Sequence, residues 1–279
     1  MDTGFQPLDP SEGKEPQKPA RQKRQIPYRV IAPNLVTLLG LSAGLTAIRM
    51  AIEGRMELAV ILIIVAGALD ALDGRLARFL KGSTKFGAEL DSLTDFVNFG
   101  VAPAILLFMW GLQDYRSIGW IACLIFSICA ALRLARFNAA LENADKPAWQ
   151  STYFTGTPAP AGAIAALLPL YLSFLDFPVT EITQSIVIAY VLAVAFLMVS
   201  SLPTFSGKTI GKGIPAEWVV PAIIVFVALV ALLLTYTWWF MTASVVIYIV
   251  CIPLGWFSYQ KRLKQDALAD PLNEEAGDD

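Results

Sequence analysis

Apolar residues run along this chain in long blocks. Eight of them lie at about 33–53, 57–81, 90–112, 117–141, 158–176, 183–204, 215–235 and 238–258. Each is close to the length of about 20 mostly apolar residues that carries an α-helix across a bilayer. The core of a soluble domain needs no such blocks. The pattern predicts an all-α integral membrane protein, a polytopic helical bundle of about eight transmembrane helices. The turn at 235–237 is short, so the last two blocks could also form one re-entrant pair. Small residues recur inside the blocks, as in Ala66-Gly67-Ala68 and Pro158-Ala159-Pro160-Ala161-Gly162-Ala163, and let helix backbones approach closely in lipid.

The loops between blocks alternate in charge. The N-terminus, residues 78–85 (Arg78, Lys81, Lys85), 133–146 (Arg133, Arg136, Lys146), 208–212 (Lys208, Lys212) and the C-terminal end (Lys261, Arg262, Lys264) are basic. The loops near 54–56, 113–116, 177–182 and 235–237 hold only Arg55 and Arg116. Cationic loops stay on the cytoplasmic side, so both termini are expected there. Residues 1–26 are polar and rich in Pro, Lys, Arg and Gln, and predict a disordered basic tail that sets topology and binds no nucleic acid. Residues 261–279 read as a charged C-terminal tail, disordered from Asp266.

Composition agrees with this reading. Hydrophobic residues make up 56% of the chain and charged residues 16%, against about 25% charged in soluble domains. The net charge of −2 decides nothing, because its distribution is uneven. Cys123, Cys129 and Cys251 lie inside apolar blocks and read as packing residues. Histidine is lacking, so acid–base and metal chemistry must rest on carboxylates.

Four carboxylates stand out. A charged side chain at the bilayer centre costs roughly 2.5–3.5 kcal/mol on insertion scales, yet Asp70, Asp73, Asp91 and Asp95 fall within 26 residues. Asp70 and Asp73 are i and i+3 at the end of the second block; Asp91 and Asp95 are i and i+4 at the start of the third. The connection Arg78–Gly87 is short and polar, so the two helices are antiparallel neighbours and the four carboxylates meet at the cytoplasmic end. Their mutual repulsion calls for a positive charge, and hard cations such as Mg²⁺, Mn²⁺ and Ca²⁺ prefer such oxygens. Gly74, Ala77 and Gly87 leave room for a ligand or simply for helix packing, and Arg78 suits a phosphate. A carboxylate-based cation transporter is the rival reading, but the aspartates cluster on one side instead of tracing a path.

The spacing Asp70-x2-Asp73-Gly74-x2-Ala77-Arg78-x8-Gly87-x3-Asp91-x3-Asp95 resembles the signature of the CDP-alcohol phosphatidyltransferase family at all eight specified positions. The resemblance implies CDP-diacylglycerol as phosphatidyl donor, a divalent cation (Mg²⁺ or Mn²⁺, two per site) on Asp70, Asp73, Asp91 and Asp95, and Asp95 as general base. Spacing alone does not separate Asp91 from Asp95 in that role. It further implies donor contacts at Asn34, Thr37, Gly74, Ala77, Arg78 and Gly87, a homodimer, and a place in a bacterial inner membrane with the active site cytoplasmic. The family domain is expected over 27–212, followed by two further transmembrane helices over 213–260.

Further stretches are similar to the branch of the family whose acceptor is L-serine: Pro33-Asn34-x2-Thr37, residues 86–93, Arg133 to Asn138, Phe154-x-Gly156-x-Pro158-x-Pro160, Met198 to Ser201, and Lys208. Asn98 and Thr157 stand where that branch more often has Ser, and Leu or Ile. Serine carries a carboxylate, which needs a cation in the site. Arg133 and Arg136, at i and i+3, either anchor the cytoplasmic end of the fourth block or bind that carboxylate or the donor phosphates. Asn98, seven residues past Asp91 on the same helix face, is the third candidate acceptor contact. Relatives accepting choline, glycerol 3-phosphate or an inositol phosphate are the alternatives.

Overall fold

Pro33 sits one turn into the first helix, α1 (Tyr28–Ile52), and leaves the carbonyl of Arg29 without its helical donor. Beyond it, the inward residues Thr37, Gly40, Gly44, Ala47 and Ala51 repeat at alternating steps of three and four. This stripe of small side chains packs along α2 (Met56–Phe79), against Ala59, Ile63 and Ala66. Close backbone approach supplies the van der Waals contact that holds helices together in lipid. The computed structural model describes residues 28–82, 84–141, 153–178, 181–200, 203–205 and 216–269.

The third predicted block is one long helical rod in three parts. It comprises α3 (Lys85–Asp95), a π-helical segment (Phe96–Val101) and α4 (Ala102–Trp110). A π turn takes in an extra residue and leaves carbonyls without their usual donors. Here the Ser127 hydroxyl donates to the Gly100 carbonyl at 3.0 Å. A 3₁₀ turn (Leu112–Tyr115) leads into α5 (Arg116–Leu141), which packs on α8 (Glu181–Val199). The fifth block is two helices, α6 (Ala159–Ala166) and α7 (Leu168–Phe174), broken at Leu167 just before Pro169. Last come α9 (Ala216–Thr235) and α10 (Thr237–Ala269).

Each predicted block coincides with a helix or a joined series of helices. Five segments are long and apolar enough to cross a membrane: 28–52, 85–110, 112–140, 217–235 and 237–257. The carboxylates of α2 interrupt its apolar run, and α6–α7 and α8 offer shorter apolar stretches. The chain is an integral membrane protein. Two features depart from expectation. A short antiparallel pair, β1 (Tyr153–Thr155) with β2 (Pro203–Phe205), interrupts the helical architecture. α10 continues as helix to Ala269, so residues 266–269, expected to be disordered, are helical. The predicted N-terminal tail over 1–26, Lys208 and Lys212, and residues 270–279 lie outside the described residues.

The apolar core runs through α1, α2, α4, α5, α6, α7 and α8, with Phe99, Leu106, Leu107, Phe126, Leu170 and Tyr171 all buried. α10 joins it through Met241 and Val245 and through Trp238, whose ring lies 4.5 Å from that of Phe174. α9 touches the rest of the fold mainly through α10 and presents apolar side chains outward along its length, as a lipid-facing helix does.

Candidate active site

The turn between α2 and α3 is tight because of two local devices. Lys81 takes a left-handed backbone (φ 50°), and Gly82 returns its N–H to the Ala77 carbonyl at 3.0 Å. Gly82 then lies against the Arg29 carbonyl that Pro33 leaves without a donor; a Cβ there would overlap that oxygen. Thr84 caps α3, its hydroxyl accepting from the Gly87 N–H at 3.0 Å. Side-chain capping of this kind satisfies one of the orphan donors at a helix start.

These elements enclose a cavity of about 260 Å³ between α1, α2 and α3. All six residues expected to touch the donor line it: Asn34, Thr37, Gly74, Ala77, Arg78 and Gly87. So do Asp73 and Asp91, together with Pro33, Gly82, Thr84 and Ala88. Gly82 and Thr84 escaped the sequence reading, although a Thr two residues ahead of a Phe-Gly pair at a helix start carries the capping signal. Asp73 is 5% exposed and accepts from the Thr37 hydroxyl at 2.6 Å, which fixes one face of its carboxylate. Arg78 donates from Nε to the Gly74 carbonyl at 3.0 Å and leaves the rest of its guanidinium exposed at the rim.

Three carboxylates converge beside this cavity. One oxygen each from Asp70, Asp91 and Asp95 lies within 4.8 Å of the others. Asp95 Oδ1 is buried without a hydrogen-bond partner, and no salt bridge among the described residues reaches the three side chains. A buried polar atom without a partner is costly. Three oxygen donors at this range, with one orphaned, fit a hard divalent cation. Asp73 stands apart from the trio, held by Thr37, and shares the cavity wall with Asp91.

The three expected acceptor residues divide. Arg133 is 8% exposed; its guanidinium carbon lies 5.2 Å above the Phe137 ring, within electrostatic reach of Asp95 and Asp70. Arg136 is committed elsewhere, donating from both terminal nitrogens to the carbonyls of Val199 (2.7 Å) and Ser200 (3.0 Å) at the end of α8. There it satisfies the orphan carbonyls of a helix C-terminus and complements its dipole. Asn98 is fully buried and points at α1, where a Cβ on Gly44 would overlap its Oδ1. Both its amide nitrogen and its amide oxygen are buried there without a hydrogen-bond partner.

Residues 30–199 match the sequence profile described as CDP-alcohol phosphatidyltransferase. Residues 217–253 match a second, described as CDP-alcohol phosphatidyltransferase 2. A CDP-diacylglycerol–serine O-phosphatidyltransferase of Mycobacterium leprae is 46% identical over 156 residues, covering 55% of this chain and 51% of that protein. One of Helicobacter pylori is 32% identical over 170 residues, covering 61% of this chain and 70% of its own length. An archaetidylserine synthase of Methanothermobacter thermautotrophicus is 33% identical over 185 residues, covering 64% and 71%. The chain spans about half the length of the mycobacterial relatives it matches.

Proposed function

The chain belongs to the CDP-alcohol phosphatidyltransferase family, and from that premise we propose that it transfers the phosphatidyl group of CDP-diacylglycerol to the hydroxyl of L-serine, giving phosphatidylserine and CMP. The observation that carries this reading is the meeting of Asp70, Asp91 and Asp95 at the wall of a cavity lined by Asn34, Thr37, Gly74, Ala77, Arg78 and Gly87. The names of the bacterial relatives support serine as acceptor.

The donor's diphosphate takes the cavity, with Arg78 at its rim and the Gly74 and Gly87 backbones leaving it room. Asp70, Asp91 and Asp95, with Asp73 alongside, are the residues that would hold a divalent cation, Mg²⁺ or Mn²⁺, two per site. Such an ion would neutralise the diphosphate and the charge that develops at phosphorus. Asp95 accepts the proton of the serine hydroxyl as general base. The serine oxygen forms a bond to the phosphatidyl phosphorus, the bond from that phosphorus to the CMP oxygen breaks, and CMP leaves. Arg133 holds the serine carboxylate.

The same reading supplies the wider frame. Residues 27–212 form the catalytic unit and 213–260 add two helices. Eight helices cross the inner membrane, with both termini and the site on the cytoplasmic side, so that donor lipid enters laterally from the inner leaflet. The enzyme works as a homodimer.

The test is CMP release from CDP-diacylglycerol by the purified full-length chain, with Mg²⁺, Mn²⁺ or chelator, comparing serine, choline and glycerol 3-phosphate. The expected result is cation-dependent release stimulated by serine alone. Stimulation by another acceptor in place of serine would overturn the assignment.

A further inference from the structure

The eight-residue aspartate motif gives α10 no task. Its inward stripe is Met241, Val245 and Tyr248, at i, i+4 and i+7. The first two are buried apolar side chains. Tyr248 ends the stripe with a phenol oxygen that is shielded from solvent, faces the Thr157 side chain, and meets no partner in good hydrogen-bond geometry. Native structures leave few buried hydroxyls in that condition.

The surroundings of that oxygen point to what is missing. It comes beside Thr157, which is 2% exposed, and within electrostatic reach of Arg133, itself 8% exposed. Arg133 is also within reach of Asp95, the candidate base, yet has no carboxylate at salt-bridge distance among the described residues. Side chains from α5, from the link between β1 and α6, and from α10 therefore face one region near Asp95. The guanidinium offers donors only, and both hydroxyls can donate. The hydroxyls can accept as well, but a planar carboxylate supplies two oxygens to an arginine fork while keeping lone pairs for a third donor.

We propose that Tyr248 is an acceptor-binding residue, its hydroxyl donating a hydrogen bond beside Arg133 to the carboxylate of an amino-acid acceptor, so that α10 closes the acceptor pocket. The proposal rests on the serine reading above. It gives the C-terminal helices a part in specificity, since an alcohol without a carboxylate leaves Arg133 and Tyr248 unsatisfied in a buried site.

The experiment compares the full-length chain with Tyr248→Phe in vesicles supplied with Mn²⁺ and CDP-diacylglycerol, following CMP release against serine. A rise of about tenfold or more in the KM for serine is expected, the loss of one hydrogen bond to a charged group. The kcat at saturating serine and the KM for CDP-diacylglycerol should stay within about twofold. In a second measurement, fluorotyrosine at position 248 keeps the phenol, and its fluorine resonance should move on addition of serine and not of glycerol. An unchanged KM for serine and a silent fluorine signal, with an active parent enzyme, would overturn the Tyr248 assignment and leave the serine reading intact. Equal damage to donor and acceptor saturation would also overturn it, because the phenol would then support the fold alone. A parent enzyme that releases no CMP on addition of serine would overturn the serine reading and this assignment together.

Discussion

Asp95 differs from the other carboxylates in one respect: one of its oxygens is buried without a partner while the side chain sits among two more acids. That is the condition of a group held ready for a proton or a cation. Replacing it with Asn keeps size and removes basicity. Asp95→Asn is expected to lower kcat by roughly 10²–10⁴-fold, the usual worth of a general base, while binding of CDP-diacylglycerol measured by calorimetry is largely retained. A fully active variant would remove Asp95 from the role of base. Asp73 is the opposite case. Its carboxylate is already satisfied on one side by Thr37, so it is oriented before any ligand arrives. The arginines separate in the same way. Arg136 spends its donors on the end of α8, whereas Arg133 keeps its guanidinium in the site. Sequence spacing presented them as a pair on one helix face; the partners that divide them come from another element.

At the scale of elements, the site depends on how closely α1, the α2–α3 turn and α3 approach. Gly87 is a tight point beside the cavity, since a Cβ there would lie 2.9 Å from Asn34 Oδ1 and 3.2 Å from Thr84 Oγ1. Gly87→Ala is therefore expected to push Asn34 off the cavity wall. A rise of roughly tenfold in the KM for CDP-diacylglycerol corresponds to about 1.4 kcal/mol, within the ~1–3 kcal/mol typical of overpacking. Serine saturation at high donor should be unaffected, and kinetics with each substrate varied in turn would show it. The π segment after Asp95 acts on a larger scale. It takes in an extra residue, and within it Asn98 meets the α1 glycines and Gly100 meets Ser127. No periodicity in the sequence marks that change, because an apolar block reads the same in either helical form.

For the whole molecule, the carboxylate cluster joins two helices that a short turn connects, and α1 packs across both. A cation held between Asp70 on α2 and Asp91 and Asp95 on α3 would fasten those helices to each other. Mn²⁺ is accordingly expected to raise the Tm of the detergent-solubilised protein, the gain being about 2.7 kcal/mol at a hundred times Kd. Asp91→Asn should lose most of that shift, and a shift that survives the substitution would place the cation elsewhere. The measurement needs no turnover, so it separates cation binding from catalysis. α9 shows the other limit of whole-molecule organisation. With apolar side chains facing outward along its length and its contacts made mainly through α10, its place is set by lipid and by one neighbour.

What the amino-acid sequence determined by itself is everything carried by local pattern. Block length and apolarity set the helices, because satisfying backbone groups in a bilayer requires them wherever such blocks occur. The cost of charge in those blocks singled out Asp70, Asp73, Asp91 and Asp95, and the short polar connection brought their helices side by side. Only the tertiary structure decided which oxygens converge, that Asp73 is held by Thr37, that Asn98 meets α1 and Arg136 the end of α8, and that Tyr248 comes within electrostatic reach of Arg133 from more than a hundred residues away. Each of those outcomes depends on the register between elements distant in the chain and on helical irregularities. Neither leaves a mark on the spacing of residues within one block.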